Sequence, residues 1–274
     1  MGLTATHSAE RIEILRDGRL LVAQNAEHDC RPYVHPVMAP DGAGVLTEDA
    51  PPHHPWQHGL YVGLNDVNGF GFWEEGIRDK PTDGTFHPKS LLAPTMSDGR
   101  MSWRVDSVWR DPQGQDLLDE TQAWTVSESE GRLVLEMGWT LTATTDLRFG
   151  EYGYGGLFLR MPYRDGCEGR ALNSEGLAGG DAEGQRARWV AVSLRVDGRD
   201  TPAGIAILDH PGNEEHPVPW RVDGQLGISP SRCIAGPWSL ATGVSTTSRC
   251  RVLVFAGDID AEDVEGAWRE YSDS

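Results

Sequence analysis

Residues 133–141 read Leu-Val-Leu-Glu-Met-Gly-Trp-Thr-Leu, with Leu133, Leu135, Met137, Trp139 and Leu141 at every second position. That period belongs to a pleated strand with one buried face and excludes a helix there. Glu130-Gly131 before it is a turn, so residues 122–126 are expected as the antiparallel partner. The pattern recurs. Residues 13–16 and 19–22 flank Asp17-Gly18 as a hairpin. Residues 102–110 alternate, with Trp103, Val105 and Val108 facing inward, and residues 153–161 form a strand opened by glycines. Residues 189–196 and 204–208 are joined through Asp197-Gly198, and residues 251–255 form a late buried strand. Residues 31–40 carry three prolines, which withhold the N–H a ladder needs, so they are expected as an edge strand or an extended loop. Residues 79–98, rich in turn formers, are expected as loop or in part as edge strand, and the polar, Gly-rich residues 167–186 as a surface loop. Only the tail reads as helix, capped by Asp260, with Val264, Ala267, Trp268 and Tyr271 on one face. The 33 glycines and 17 prolines suit many short strands joined by turns. No composition break marks a linker. The expectation is therefore one all-β domain over residues 1–274, a large antiparallel β-sandwich with a C-terminal helix.

Charge narrows the partners. The 42 Asp and Glu against 24 Lys and Arg give a net charge of −18. Nucleic acid and anionic membrane surfaces both require a basic footprint, so neither is expected. No apolar run approaches a membrane span. The start lacks the apolar core of a secretory signal, and the four cysteines at 30, 167, 233 and 250 are scattered. Both point to a cytoplasmic protein with reduced thiols.

Chemistry concentrates in two histidine-rich, proline-rich segments. One is Pro52-His53-His54-Pro55-Trp56-Gln57-His58-Gly59, followed by Trp73, Glu74 and Glu75. The other is Asp209-His210-Pro211-Gly212-Asn213-Glu214-Glu215-His216-Pro217-Val218-Pro219-Trp220. Histidine transfers protons near neutral pH and ligates metals, and a carboxylate beside it fixes its tautomer. Tryptophan beside polar groups suits the C–H face of a sugar. Each segment alone is better explained as a loop whose rings cap turns; their coincidence in one chain favours function. His54 and His58 stand at i, i+4, but Pro55 and Gly59 break any helix, so this is no HExxH zinc site. A loop-borne divalent metal using His53, His54 or His58 with His210 or His216 stays open as an alternative. There is no phosphate-binding glycine loop, no GxSxG elbow and no dinucleotide fingerprint.

Arg31-Pro-Tyr-Val-His-Pro, Pro52-His-His-Pro-Trp-Gln-His-Gly-Leu, Asp66-Val-Asn-Gly-Phe-Gly-Phe-Trp-Glu, Gly155-Gly-Leu-Phe-Leu-Arg and Ala206-Ile-Leu-Asp-His-Pro-Gly-Asn together resemble the PmoA-like family. The resemblance runs from about residue 31 to 255. It implies bacterial proteins found near sugar-handling oxidoreductases. The methane-oxygenase label of that family implies a membrane copper enzyme, and that activity is not carried over to this acidic chain. The size, the all-β pattern and the histidine-rich strand ends are also similar to galactose-mutarotase-like supersandwiches, an analogy of fold alone.

The resulting expectation is a carbohydrate-active enzyme, a lyase, hydrolase or epimerase, with a small-molecule carbohydrate as its partner. His54 or His58 acts as one acid/base and His210, supported by Asp209, as the other. Arg31, His35, Trp73, Glu74, Arg160, His216 and Trp220 bind substrate, and the two segments line one pocket. No cofactor is expected, and no residue is assigned to a metal. The alternative from another class is a non-catalytic sugar-binding or interaction domain.

Overall fold

A computed structural model describes residues 2–78 and 80–273 of the chain. Two antiparallel sheets face each other. In the first, of eight strands, the order is Leu3–His7, Arg11–Arg16, Arg19–Asn25, Tyr33–Val37, Leu60–Gly63, Gly156–Leu159, Ile228–Pro230 and Trp220–Val222. The second, of nine, runs Gly169–Asn173, Trp189–Leu194, Ala203–Asp209, Ser245–Ala256, Arg132–Ala143, Asp116–Ser129, Arg100–Arg110 and Thr85–Pro88, with Thr95–Ser97 also on Arg100–Arg110. Leu147–Phe149 and Trp238–Leu240 make a separate ribbon. One contiguous core joins the inner faces, from Val34, Leu60 and Leu157 to Leu135, Trp124 and Val252. The fold is thus the expected all-β antiparallel sandwich. The helix Ala261–Ser272 follows, its N-terminus capped by Asp260 accepting from the Glu262 and Asp263 N–H groups. It buries Val264, Ala267 and Tyr271 against the outer face of the nine-stranded sheet, beside Ala206 and Leu253.

Three expectations need correction. Residues 31–40 hold no edge strand: Tyr33–Val37 lies inside the eight-stranded sheet. The register shift between Val22 and Gln24 sets His35 and Pro36 together opposite Ala23, so the missing proline N–H falls at a bulge. Residues 167–186 hold an edge strand, Gly169–Asn173, whose first two residues are exposed and whose sequence Gly-Arg-Ala-Leu-Asn has no apolar alternation to announce it. Val108 points away from the core, where Trp109 takes its place. Within 79–98, expected as loop or in part as edge strand, Thr85–Pro88 is an edge strand and Thr95–Ser97 pairs only with Arg100–Arg110; Asp79 lies outside the described residues.

The core contains an acid. Glu120 is buried on Asp116–Ser129 and accepts from Trp109 Nε1 at 3.0 Å, Gln122 Nε2 at 2.9 Å and Trp139 Nε1 at 2.8 Å. Burial pushes its carboxyl above the ordinary 4.5, against the pull of those donors. A raised folded value means stability that is present below about pH 4.5 and lost as pH rises through it. Wild type is therefore expected to lose stability relative to Glu120→Gln as pH rises above about 4.5 and through the raised folded value. Urea midpoints of the two proteins across that range check this; a constant difference between them contradicts it.

Candidate functional site

Alternation on three neighbouring strands sets the site. Tyr33 pairs with Tyr61, and Tyr61 with Phe158, across the eight-stranded sheet. Their sequence neighbours Val34, Leu60, Val62, Leu157 and Leu159 belong to the core, so the three rings stand on the opposite face. With Trp56 and Trp73 they form an aromatic cluster of their own, flanked by Cys30 and Tyr154. Over it lies a cavity of about 440 Å³, counting space open to solvent, lined by His54, Trp56, Gln57, Trp73, Glu74, Tyr154, Phe158, Arg221 and Asp223.

Three polar atoms of this region are buried without a hydrogen-bond partner: His54 Nδ1, Gln57 Oε1 and the Tyr61 hydroxyl. Buried polar groups are nearly always paired, so the two orphans on the cavity-lining residues His54 and Gln57 suggest that something else satisfies them. Burial, then the nearby His53 and Arg160, lowers the His54 pKa below 6.5, which keeps the ring neutral near pH 7. Asp223 accepts from the N–H groups of Gln225 at 2.9 Å and Gly227 at 2.8 Å through Oδ1. Glu74 pairs with Lys80, and with Arg78 at 3.7 Å. Arg78 also lies over the Trp56 ring at 4.2 Å.

Beneath the cavity runs a buried charge network. Arg31, fully buried, donates to Glu75 and to the carbonyl oxygens of Val62, Phe72 and Trp73. Gly63 makes room for it: a Cβ there would stand 2.7 Å from Arg31 Nη1. Glu75 adopts a left-handed φ of 58°, an expensive choice for a residue with a Cβ, and its carboxylate is buried. It bonds His58 Nε2 at 3.3 Å, while His58 Nδ1 meets Asp49 Oδ1 at 2.5 Å. The His58 ring stacks on Tyr33 at 4.6 Å. Burial opposes a charge on His58, but the bonds to Asp49 and Glu75 outweigh it and raise its pKa above 6.5. For Glu75 burial acts upward, and Arg31 and His58 overcome it to hold the carboxyl below 4.5. Cys30 Sγ sits 3.8 Å from Glu75 Oε2; burial and that carboxylate push the thiol far up.

The structure does not gather all the expected residues. His54, Trp73 and Glu74 line the cavity. Arg31 and His58 lie beneath it, with both ring nitrogens of His58 engaged by carboxylates. Arg160 bonds Glu48, Gln225 and His53, tying the histidine loop to the 223–227 turn beside the cavity. His35 bonds the Thr47 hydroxyl at 2.9 Å, and that hydroxyl also accepts from Val37 N–H. The second histidine segment is elsewhere. Asp209 accepts from Asn213 Nδ2, meets His216 Nδ1 at 2.6 Å and accepts from Val218 N–H. It lines a different cavity, between the sheets, with Met137, Trp139, Arg232 and Trp238. His216 stacks on Trp268, and His210 accepts from Gly212 N–H and meets Tyr271 edge-on. Trp220 is in the core, its Nε1 donating to Ala187 O. The expected single pocket for both segments is thus corrected: the second one pins a loop to the C-terminal helix.

Sequence reasoning missed Asp49, Tyr61, Tyr154, Arg221 and Asp223 and passed over Glu75 beside Glu74. Tyr61 was findable, because an aromatic out of phase with its apolar neighbours on a strand marks the other face.

No curated protein matches the chain. Among solved structures it is similar to a galactose mutarotase related enzyme from Lactobacillus acidophilus, at 10% identity over 92% of this chain and 97% of that one, TM-score 0.36. It is also similar to the Slr1438 protein from Synechocystis sp. PCC 6803, at 8% identity over 93% and 99%, TM-score 0.41. A GH36 alpha-galactosidase, AgaB from Geobacillus stearothermophilus, is similar at 13% identity over 94% of this chain but 41% of that one, TM-score 0.37. No helix of the described residues is long and apolar enough to cross a membrane. A family model described as "Family of unknown function (DUF6807)" matches residues 11–269, and nothing indicates PmoA, so the resemblance to that family is corrected. Since this match spans nearly the whole sequence, the chain belongs to the family of unknown function DUF6807.

Proposed function

We propose that the cavity beneath His54 binds a small carbohydrate and that the protein performs acid–base chemistry on it, as a lyase, hydrolase or epimerase. The observation that carries this reading is the pair of unpartnered buried atoms on His54 and Gln57, two residues lining a cavity walled by two indoles and two carboxylates. Trp56 and Trp73 offer faces for sugar C–H groups, and Gln57 and Arg221 offer bonds to hydroxyls. Neutral His54 serves as the base, and Asp223 or Glu74 as the carboxylate that completes the exchange. The Asp209–His210 pair has no part in this chemistry.

The test is a panel of aldoses, glycosides and their keto forms, followed by NMR for turnover and by calorimetry for binding. His54→Ala and Asp223→Asn are each expected to lower kcat by roughly 10²–10⁴ while the affinity changes only a few-fold. Binding without turnover in the unaltered protein supports the non-catalytic sugar-binding domain instead. Neither binding nor turnover across the panel ends the carbohydrate reading.

A further inference from the structure

We infer that Cys30 Sγ, His58 Nε2 and Glu75 Oε2 are three ligands of a tetrahedral zinc-class metal site, with water as the fourth. The three atoms lie within 4.8 Å of one another, on a half-buried cysteine and two buried residues. Zinc takes nitrogen and oxygen at about 2.1 Å and sulfur at about 2.3 Å, which at the tetrahedral angle sets N···O near ~3.4 Å and S···O near ~3.6 Å. The structure has His58 Nε2 to Glu75 Oε2 at 3.3 Å and Cys30 Sγ to Glu75 Oε2 at 3.8 Å. Two of the three edges thus already stand close to those of a zinc tetrahedron, and the third, Cys30 Sγ to His58 Nε2, is within 4.8 Å.

The surroundings match as well. A ligating histidine characteristically holds its other ring nitrogen on a carboxylate, which fixes the tautomer and aims the ring. His58 does so through Asp49 at 2.5 Å, and stacking on Tyr33 fixes the ring plane. Glu75 has Arg31 on Oε1, leaving Oε2 to face His58 and Cys30. One thiolate, one imidazole and one carboxylate suit zinc better than magnesium or calcium, which prefer oxygen throughout. Of the loop histidines first considered for a metal, His58 joins, while His53 bonds Arg160 and His216 bonds Asp209. The inference stands apart from the carbohydrate reading, because none of the three ligands lines the sugar cavity.

The test treats the full chain with chelator and titrates it with Co²⁺, then with Zn²⁺. One cobalt per chain is expected, with the tetrahedral visible bands and a near-ultraviolet thiolate-to-cobalt band that zinc displaces. In Cys30→Ser the thiolate band vanishes and affinity falls at least ~100-fold, while Asp49→Asn weakens binding by roughly 10–100-fold. His53→Ala and His216→Ala leave the titration unchanged. Alkylation followed by mass spectrometry supplies a readout that needs no variant: zinc slows modification of Cys30 and leaves half-buried Cys167 unaffected. Absence of stoichiometric cobalt, a Cys30→Ser affinity within threefold of wild type, or alkylation of Cys30 indifferent to zinc each overturns the inference.

Discussion

Arg31→Met is expected to lower the unfolding free energy by about 3–5 kcal/mol, because breaking a buried pair leaves an uncompensated charge. Arg31 has no exposed surface, and Glu75 is buried with it. Removing the guanidinium strands that carboxylate and also leaves three carbonyl oxygens, of Val62, Phe72 and Trp73, without their donor. The rings of Tyr61 at 4.6 Å and Phe86 at 5.1 Å lose the cation packed over them. Methionine keeps most of the volume, so the loss reads mainly as electrostatics. Urea unfolding in chelator measures it. Glu75→Gln made on the Arg31→Met background should recover part of the loss, since the stranded charge is then gone. A loss below about 1 kcal/mol would mean that water reaches Glu75 in solution and that the network is a surface pair in energetic terms.

Trp220→Ala is expected to cost about 3–5 kcal/mol, the usual range for emptying a large aromatic site in a core. For a chain of this size that is on the order of 10 °C in melting temperature. Trp220 is fully buried between the sheets, and its Nε1 bond to Ala187 O at 2.8 Å holds the 183–188 segment to Trp220–Val222. If it lined a sugar site, its loss would instead weaken binding with little change in stability. Thermal melts of Trp220→Ala and Trp56→Ala side by side separate the two roles. Trp56 lines the cavity and carries Arg78 on its face, so its replacement should act mainly on binding.

Strands with one wet face were legible from the sequence. The alternation at 133–141 and the Asp17-Gly18 hairpin both match the structure, since the side-chain period and the turn residues are local properties. Tyr33–Val37 was misplaced at an edge because the device that absorbs Pro36, a register shift against Val22 and Gln24, lies on another strand. Of the candidate site, the first histidine segment was found but its partners were not. Asp49 and Glu75 reach His58 through loops, and Asp223 comes from the turn after the edge strand Trp220–Val222, more than 150 residues away. The second histidine segment was found too, but its separation from the first is a long-range property: Asp209 lines a different cavity, and His210 and His216 pack on Tyr271 and Trp268 of the C-terminal helix.

The placement of Ser245–Ala256 bears on how the protein is made. It lies between Arg132–Ala143 and Ala203–Asp209, pairing with ten residues of one and seven of the other. Until that segment leaves the ribosome, both neighbours present open edges with unpaired N–H and C=O groups, which are templates for pairing with other chains. The local meander from Arg100–Arg110 to Arg132–Ala143 can form early, because its loop closures are short. The sheet as a whole closes only when its central seam arrives, after some 240 residues have already been synthesised. Nascent chains of this protein should therefore depend on chaperone cover for most of their translation, and stalling them before residue 245 should convert a well-sealed sandwich into an aggregating one.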